Sequence, residues 1–231
     1  MIKVIELPID KDMGGLTSYV LQLYRMIDKK EFELTLLSYD DSQNFDVNYN
    51  VEMVSRPYHV IQFYKKIKCL LSEGKNIIHF HQSYVNIIPI LIAKLAGFKT
   101  IILHAHSSSI DDNRKIVRFL KTGLHKVGRF LLPYLVDTYI GCSTKASEWM
   151  FPRTCIDSDS YYLLHNAIDL DLYDRNINLG LEVRQKFNIP KDALVVGHIG
   201  RFTPVKNHPF IIDIFKEVLK QNPNSYLFLL G

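Results

Sequence analysis

The sequence predicts an α/β fold in which a parallel sheet is covered by helices on both faces, and three observations support this prediction. Eight short apolar runs, rich in β-branched residues, recur along the 231 residues. Most are separated by segments whose apolar residues recur every three or four positions, the spacing of an amphipathic helix. Several runs are continuously apolar, as expected for strands that are buried on both faces of a sheet. Strand and helix in repeated alternation are typical of parallel α/β sheets.

The predicted strands follow one another along the whole chain, at 2–7, 32–38, 76–81, 100–106, 136–143, 161–167, 194–200 and 225–231. The two clearest helical segments come after the first strand and before the last. Their apolar stripes consist of Leu16, Val20, Leu23, Tyr24 and Ile27 in the first segment, and of Phe210, Ile211, Ile214, Phe215, Val218 and Leu219 in the second. Stripes of this width are expected to pack against the sheet.

A domain boundary is predicted near 170–192, where the sequence is polar and has no strand pattern. We therefore expect an N-terminal domain over 1–175, a linker over 176–192, and the start of a second domain over 193–231. The last segment holds one strand–helix–strand unit, which is too small to build its own core. Such a unit either belongs to a longer protein or packs on the first domain, and we favour the first interpretation.

Composition excludes several classes of protein. Hydrophobic residues make up 47% of the chain and charged residues 23%, as in ordinary globular proteins. The net charge of +4 is too small to indicate a nucleic-acid partner. The longest apolar runs, 87–93 and 130–136, are far shorter than the ~20 residues that span a bilayer. With an odd number of cysteines and no signal peptide pattern, the expected location is the cytoplasm.

Two cations flank the turn after the seventh predicted strand. Arg201 follows the strand directly, and Lys206 precedes a helix that Asn207 could cap and Pro209 could open. A cation at a helix N-terminus is unfavourable unless an anion is present. A bound phosphate would resolve this conflict. Two solvated surface charges are the alternative that the spacing alone leaves open.

Glycines and histidines mark other strand ends. Gly14 and Gly15 precede the first helix, where they could let a phosphate or sugar approach the backbone, although a plain helix start is the commoner explanation. The pairs His79 and His81, and His104 and His106, each lie on one face of a strand because side chains alternate. Of these four, His81, His104 and His106 are the predicted ligand-facing residues, and buried structural histidines are the alternative.

A metal is the rival interpretation of the histidine pairs. No cysteine or sequence-adjacent carboxylate completes a set of ligands, so we predict no metal site.

The segment 113–136 predicts a basic amphipathic helix. Cations recur every three or four positions, and no acidic residue lies between Asp112 and Asp137. Such a helix is typical of membrane-surface elements, and a solvated face is the alternative. The predicted membrane-surface residues are Arg114, Arg118, Lys121 and Arg129, with His125 in the same stripe. We expect peripheral attachment to an anionic membrane, at the inner face of the cell membrane.

Five stretches in one order carry a resemblance. They are the glycine pair of Gly14 and Gly15, the histidine stretch HAHSSS, GCSTKASEWMF, HNAIDLDLY and GHIGRFTPVKNH. This order resembles the family 4 glycosyltransferases, which have the GT-B fold of two Rossmann-like domains, and especially the bacterial members that build capsule or exopolysaccharide. The resemblance covers essentially the whole chain. Its most specific part is the G-R-(x)4-K pattern that ends at Lys206.

The resemblance implies a function for each matching residue. Arg201 and Lys206 match the basic pair that holds the diphosphate of a nucleotide-sugar donor, with a UDP-sugar favoured. Gly14 and Gly15 match the loop near that diphosphate, and His106 matches a catalytic histidine near the transferred sugar. The implied reaction retains the anomeric configuration, needs no metal, and uses a lipid-linked saccharide or glycan acceptor.

Two departures from the family pattern qualify the resemblance. Ala167 stands where the family usually has glycine, and the family's E-(x)7-E segment would fall beyond Gly231. We therefore expect the chain on its own to be inactive. A noncatalytic module that binds anionic lipid or glycan is the second hypothesis. A nicotinamide-dependent oxidoreductase is disfavoured, because the G-x-G-x-x-G fingerprint is absent. The sequence leaves the oligomeric state open.

Overall fold

The structure is a computed structural model that describes residues 1–10, 14–40, 45–46, 48–110, 112, 114–170 and 177–231. The chain separates into two compact units, Met1–Ile168 and Asp169–Gly231. The predicted domain roles and the predicted boundary at 175 stay predictions. The predicted linker, 176–192, contains a helix, Ile177–Lys186, which belongs to the second unit.

The first unit alternates strands and helices from its first residues. Its strands are β1 Ile2–Ile9, β2 Phe32–Ser38, β3 Val51–Met53, β4 Ile77–Gln82, β5 Thr100–Ala105, β6 Thr138–Gly141 and β7 Tyr161–Leu163. Its helices are α1 Gly15–Met26, α2 Val60–Ser72, α3 Ile87–Ala96, α4 Lys115–Leu135, α5 Thr144–Met150 and α6 Arg153–Ile156. Six of these strands coincide with predicted apolar runs.

The seven strands form one parallel sheet in the order β3-β2-β1-β4-β5-β6-β7. The chain moves outward from β1 in one direction and then returns to build outward from β4 in the other. The carboxyl ends of β1 and β4 therefore flank the point where the strand order reverses, which is where ligands bind in open α/β sheets. The predicted parallel α/β sheet is confirmed.

Helices pack on both faces of the sheet, as predicted. Ile5 of β1 joins a core that includes Phe63 of α2 and Ile90 of α3. Its neighbour Val4 points to the opposite face, where it packs with Val20 of α1. Successive side chains of a strand alternate between faces, so one apolar run can support both cores.

Helix α3 shows how local sequence sets the ends of an element. It begins after Asn86, whose side chain accepts a hydrogen bond from the backbone N–H of Ile88 at 3.3 Å. It ends at Ala96, and the next residue, Gly97, has a left-handed φ of 98°, which favours glycine.

Two features of the first unit differ from the predictions. Strand β3 was not predicted, because three residues are too few to show a strand pattern. Several strands end earlier than expected: β5 ends at Ala105, so His106 lies just beyond it, and β7 ends at Leu163. In both cases the backbone leaves the sheet before the predicted apolar run ends.

The second unit contains α7 Ile177–Lys186, β8 Leu194–Ile199, a 3₁₀ turn Pro204–Lys206, α8 His208–Gln221 and β9 Ser225–Leu230. Strands β8 and β9 are parallel neighbours. The predicted cap of α8 is wrong in detail. Asn207 adopts a left-handed φ of 48° between the 3₁₀ turn and α8, and its side chain makes no capping hydrogen bond. Its backbone carbonyl accepts instead from the N–H groups of Phe210 and Ile211.

Candidate functional site

Four histidines and a glutamate gather towards the carboxyl end of the sheet in the first unit. Glu6 of β1 lies in register with His79 of β4, and His81 of β4 lies in register with His104 of β5. Residues two apart on a strand share a face, so these side chains all point to the α1 side. His106 follows β5 directly. Glu6, His79, His81 and His104 are buried, and His106 is half-buried.

Hydrogen bonds link this cluster from β1 to the loop after β5. One oxygen of Glu6, Oε2, lies 3.0 Å from Nδ1 of His79 and 2.7 Å from Nε2 of His81. The other ring nitrogen of His81, Nδ1, lies 2.8 Å from Nε2 of His106. We call Glu6, His81 and His106 the Glu–His–His chain. It connects a buried carboxylate to a half-buried imidazole at the carboxyl edge.

Tyr19 of α1 packs against this cluster. Its ring centroid lies 6.0 Å from that of His81, 5.2 Å from that of His104 and 5.1 Å from that of His106. Burial, together with the negative charge of Glu6, raises the pKa of Tyr19 to about 12. The phenol therefore keeps its proton at neutral pH.

Burial and mutual contact set the protonation states of the cluster. Burial alone would raise the pKa of Glu6, but the interactions with His79 and His81 outweigh it and hold that pKa at about 2. Burial lowers the pKa of His81 to about 4, although Glu6 opposes this shift. Burial also lowers the pKa values of His104 and His106, and neighbouring histidines add to the effect. At neutral pH Glu6 is ionised and these three imidazoles are neutral.

Glu6 was not among the site residues predicted from the sequence. The prediction considered only carboxylates that neighbour the histidines along the chain, whereas Glu6 and His81 are 75 residues apart in sequence and meet because β1 and β4 are adjacent in the sheet. One signal was present: in the first strand, IKVIELPI, Glu6 stands between the apolar residues Ile5 and Leu7. Buried carboxylates need partners, so that residue indicates a polar neighbour across the sheet.

The same cluster contains side chains that could approach a metal ion. Ring nitrogens of His79, His81 and His104 lie within 4.8 Å of one another. Both nitrogens of His81, however, already lie within hydrogen-bond distance of Glu6 and His106. Ligation of a metal by His81 would break one of these bonds. Hydrogen bonds thus account for the position of His81. That the protein needs no metal stays a prediction.

Gly14 and Gly15 open α1, and a side chain added at either would meet nothing within 4 Å among the described residues. His81 and His104 are buried beneath Tyr19 and His106, so their predicted contact with substrate stays a prediction.

Arg201 and Lys206 belong to the second unit. Arg201 follows β8, and Lys206 ends the 3₁₀ turn before α8. Both are exposed, and neither takes part in a salt bridge with any residue that the structure describes. Their charges are therefore available to a ligand.

The residues of the predicted basic stripe of α4 do not share one solvent-facing environment. Asp112 forms ion pairs with Arg114 at 3.1 Å and Lys121 at 2.8 Å. Arg129 donates to the carbonyl of Phe151 at 2.7 Å, so it is held against the protein. Buried His125 accepts a hydrogen bond from the N–H of Val85 at 3.0 Å, so it is not part of a solvent-facing stripe. Arg118 is exposed, as predicted.

The solvent face of α4 is apolar to an extent that the sequence analysis did not predict. We call it the α4 apolar face, and it consists of Ile116, Phe119, Leu120, Val127, Phe130 and Tyr134, all of them well exposed. The exposed cations Lys115, Arg118 and Lys126 lie among these residues along the helix. An amphipathic pattern predicts that a helix has an apolar stripe beside its cations, but the pattern does not show which stripe points outward.

No helix in the described part of the chain combines the length and apolar character needed to cross a bilayer.

Comparison with known proteins gives a family match over most of the chain. Residues 13–172 match the family described as Glycosyltransferase Family 4. The chain is 26% identical over 238 residues to EpsF of Bacillus subtilis, a protein named as a glycosyltransferase, with 94% of this chain and 59% of EpsF covered. It is 20% identical over 246 residues to the Escherichia coli UDP-Gal:alpha-D-GlcNAc-diphosphoundecaprenol alpha-1,3-galactosyltransferase, covering 100% of this chain and 62% of that protein. The chain thus spans about three fifths of these relatives.

Solved structures support the fold. The Anabaena protein HepE, solved in complex with UDP-glucose, superposes with a TM-score of 0.70 at 16% identity, covering 99% of this chain and 60% of HepE. A glycosyltransferase from Rickettsia africae gives a TM-score of 0.64 at 10% identity, covering 100% of this chain and 68% of that protein. These neighbours have the GT-B fold, as predicted.

The buried histidines predict a loss of stability in mild acid. In the unfolded chain each histidine takes up a proton near pH 6.5, but in the folded chain His81 resists protonation down to about pH 4. Because the unfolded state then binds more protons, the free energy of unfolding falls as the pH drops below 6.5. Between pH 7.5 and 5 we expect a loss of up to about 2 kcal/mol for each of His81, His104 and His106, whose pKa values burial lowers, measured by urea unfolding.

His104 offers a variant for this measurement, because neither of its ring nitrogens has a hydrogen-bond partner among the described residues. His104→Leu should flatten the pH dependence by about 2 kcal/mol over the same range. The exposed His59, changed to Gln, serves as the control and should leave the slope unaltered. An identical slope for His104→Leu and the unchanged protein would contradict this account of the cluster.

Proposed function

This chain belongs to Glycosyltransferase Family 4, and from that premise we propose that it serves in the transfer of a sugar from a nucleoside diphosphate sugar to an acceptor. A UDP-sugar is the favoured donor, and a lipid-linked saccharide or a glycan of a bacterial surface polysaccharide is the acceptor. The reaction retains the anomeric configuration and uses no metal. The observation that carries the proposal is the Glu–His–His chain, which ends in His106 at the carboxyl edge of the sheet.

His106 has the properties that contact with a sugar requires. It lies just beyond β5, next to the point where the strand order reverses, and it is only half-buried. Its neutral imidazole can exchange hydrogen bonds with a hydroxyl group. We assign it the role of catalytic residue near the transferred sugar and the acceptor hydroxyl. Gly14 and Gly15 would leave room for the same ligand at the start of α1.

Arg201 and Lys206 would bind the diphosphate of the donor. Both are exposed cations that follow the carboxyl end of β8, and α8 begins two residues after Lys206. Guanidinium and ammonium groups near a helix N-terminus suit a phosphate ligand. During transfer the leaving diphosphate gains negative charge, which these cations would stabilise.

The α4 apolar face would bring the protein to its acceptor at a membrane. Two of its aromatic residues, Phe119 and Phe130, are 76% and 74% exposed, and the cations Lys115, Arg118 and Lys126 lie near them on the helix. Apolar residues flanked by cations suit the surface of an anionic bilayer. A relative from Escherichia coli acts, by its name, on a diphosphoundecaprenol-linked sugar. We therefore propose a peripheral location on the inner face of the cell membrane.

The donor-phosphate assignment predicts a loss of transfer in the double variant Arg201→Ala with Lys206→Ala. Removal of preorganised charge at a leaving group costs about 10²-fold or more in rate. The measurement is transfer of radiolabelled sugar from a UDP-sugar by the protein expressed at its native length. The double variant Lys216→Ala with Lys220→Ala removes two exposed cations of α8 and serves as the control. Full activity of the first variant would reject the assignment.

The membrane assignment predicts weaker vesicle binding in Phe119→Ser with Phe130→Ser. Each phenyl group that leaves an apolar environment costs about 1.5–3 kcal/mol, so each change should weaken binding by about tenfold or more. The measurement is flotation with vesicles that contain one third phosphatidylglycerol. Leu95→Ser alters an equally exposed apolar residue of α3 and serves as the control.

Flotation that is unaffected by the α4 changes would reject the membrane assignment. Flotation without sugar transfer by the native-length protein would instead favour the noncatalytic alternative, a module that binds anionic lipid.

A further inference from the structure

We propose that Glu6 is a positioning residue that fixes the proton of His106 on Nε2, so that Nδ1 of His106 presents a lone pair to a hydroxyl group of the substrate. The inference about the proton rests on the geometry of the Glu–His–His chain. The inference about the hydroxyl group rests on the proposed function.

Glu6 determines where its two histidine partners carry their protons. An ionised carboxylate only accepts hydrogen bonds. The same oxygen, Oε2, lies 3.0 Å from Nδ1 of His79 and 2.7 Å from Nε2 of His81. Both of these nitrogens must therefore carry hydrogens and donate to Glu6.

The proton that His81 donates to Glu6 determines the role of its other nitrogen. A neutral imidazole has one N–H group, and His81 uses it towards Glu6. Its other nitrogen, Nδ1, is left with a lone pair and can only accept. The partner at 2.8 Å is Nε2 of His106, so that nitrogen must donate.

His106 is the last member of the chain. With its single hydrogen on Nε2, neutral His106 has a bare lone pair on Nδ1. This is a hydrogen-bond acceptor, and no hydrogen bond to it is found among the described residues. A hydroxyl group, which donates, is the ligand chemistry that matches it. A carbonyl or carboxylate oxygen would be repelled.

The surroundings favour these protonation states. Among the described residues, the titratable side chains that influence His106 are Tyr19, His79, His81 and His104, with Glu6 the anion among them. Burial lowers the pKa of His81 to about 4 and also lowers the pKa of His106, so both imidazoles are neutral at pH 7. Tyr19 keeps its proton and brings no second negative charge.

The opposite arrangement of protons along the Glu–His–His chain would leave the buried carboxylate of Glu6 short of a hydrogen bond. If His81 carried its proton on Nδ1, its Nε2 lone pair would face the carboxylate of Glu6 at 2.7 Å without a hydrogen between them. Two acceptors at that distance repel, and the carboxylate would lose a hydrogen bond that its burial requires. Glu6 thus selects one of the two possible directions for the chain.

Nitrogen-15 NMR of histidine tests the proposal directly, because long-range proton–nitrogen correlations distinguish the two neutral tautomers. In the unchanged protein at pH 7.5, His81 and His106 should both carry the proton on Nε2. A proton on Nδ1 of His106 would overturn the proposal without the need for any variant.

Two variants separate the acceptor of Glu6 from its charge. Glu6→Gln keeps an oxygen that can accept from both histidines, so the tautomers should stay unchanged. Glu6→Leu removes the acceptor, so no group holds the proton of His81 on Nε2, and tautomers of His81 and His106 with the proton on Nδ1 should become populated. Glu33→Leu, at a half-buried carboxylate of β2, is the matched control. Unchanged tautomers in Glu6→Leu would overturn the proposal.

Sugar transfer by the native-length protein distinguishes failure here from failure of the proposed function. If Glu6→Leu reverses the tautomers, kcat should fall by about tenfold or more while KM for the donor changes little, and Glu6→Gln should retain most of the rate. Reversed tautomers with an unaltered kcat would confirm that Glu6 positions the proton of His106 and would reject a role of His106 in sugar transfer.

Discussion

Burying an ionised carboxylate costs several kcal/mol unless hydrogen bonds compensate for the lost water. Glu6 is 2% exposed and lies in the middle of a sheet whose other buried residues are mostly apolar. Its charge is balanced by hydrogen bonds from His79 and His81 on the neighbouring strand. Those bonds require β1 and β4 to pair in one register. The interaction that satisfies Glu6 therefore also determines how these two strands pair, and their carboxyl ends flank the point where the strand order reverses.

This constraint joins the fold to the candidate site. A shift of β4 by one residue would turn His79 and His81 to the opposite face, away from Glu6. In this register, His81 is hydrogen-bonded to both Glu6 and His106, so the carboxylate determines which nitrogen of His106 carries the proton. Tyr19 of α1 packs against the histidine rings. The apolar residues of the sheet provide stability, while the polar residues on one face provide a single, ordered hydrogen-bond chain that reaches the carboxyl edge.

Much of the fold could be predicted from the sequence, because apolar runs and helical stripes report burial directly. The shared face of His79 and His81 also followed from alternation along a strand. The partner Glu6 could not be found in this way, since it comes from a strand that is distant in the sequence and adjacent only in the sheet. For α4 the amphipathic pattern predicts a basic and an apolar face but not which one points outward. Contacts of His125 and Arg129 with neighbouring elements leave the apolar face exposed.

The central claim is that His106, oriented by Glu6, meets a hydroxyl group of the sugar substrate. The most direct measurement is the nitrogen-15 signal of His106 Nδ1 in the native-length protein, followed while UDP alone, UDP-glucose or UDP-galactose is added. The account predicts that a UDP-sugar moves this signal in the direction of an accepted hydrogen bond, and that UDP alone does not. A signal that is unmoved by either sugar at saturation, or moved equally by UDP, would contradict the account.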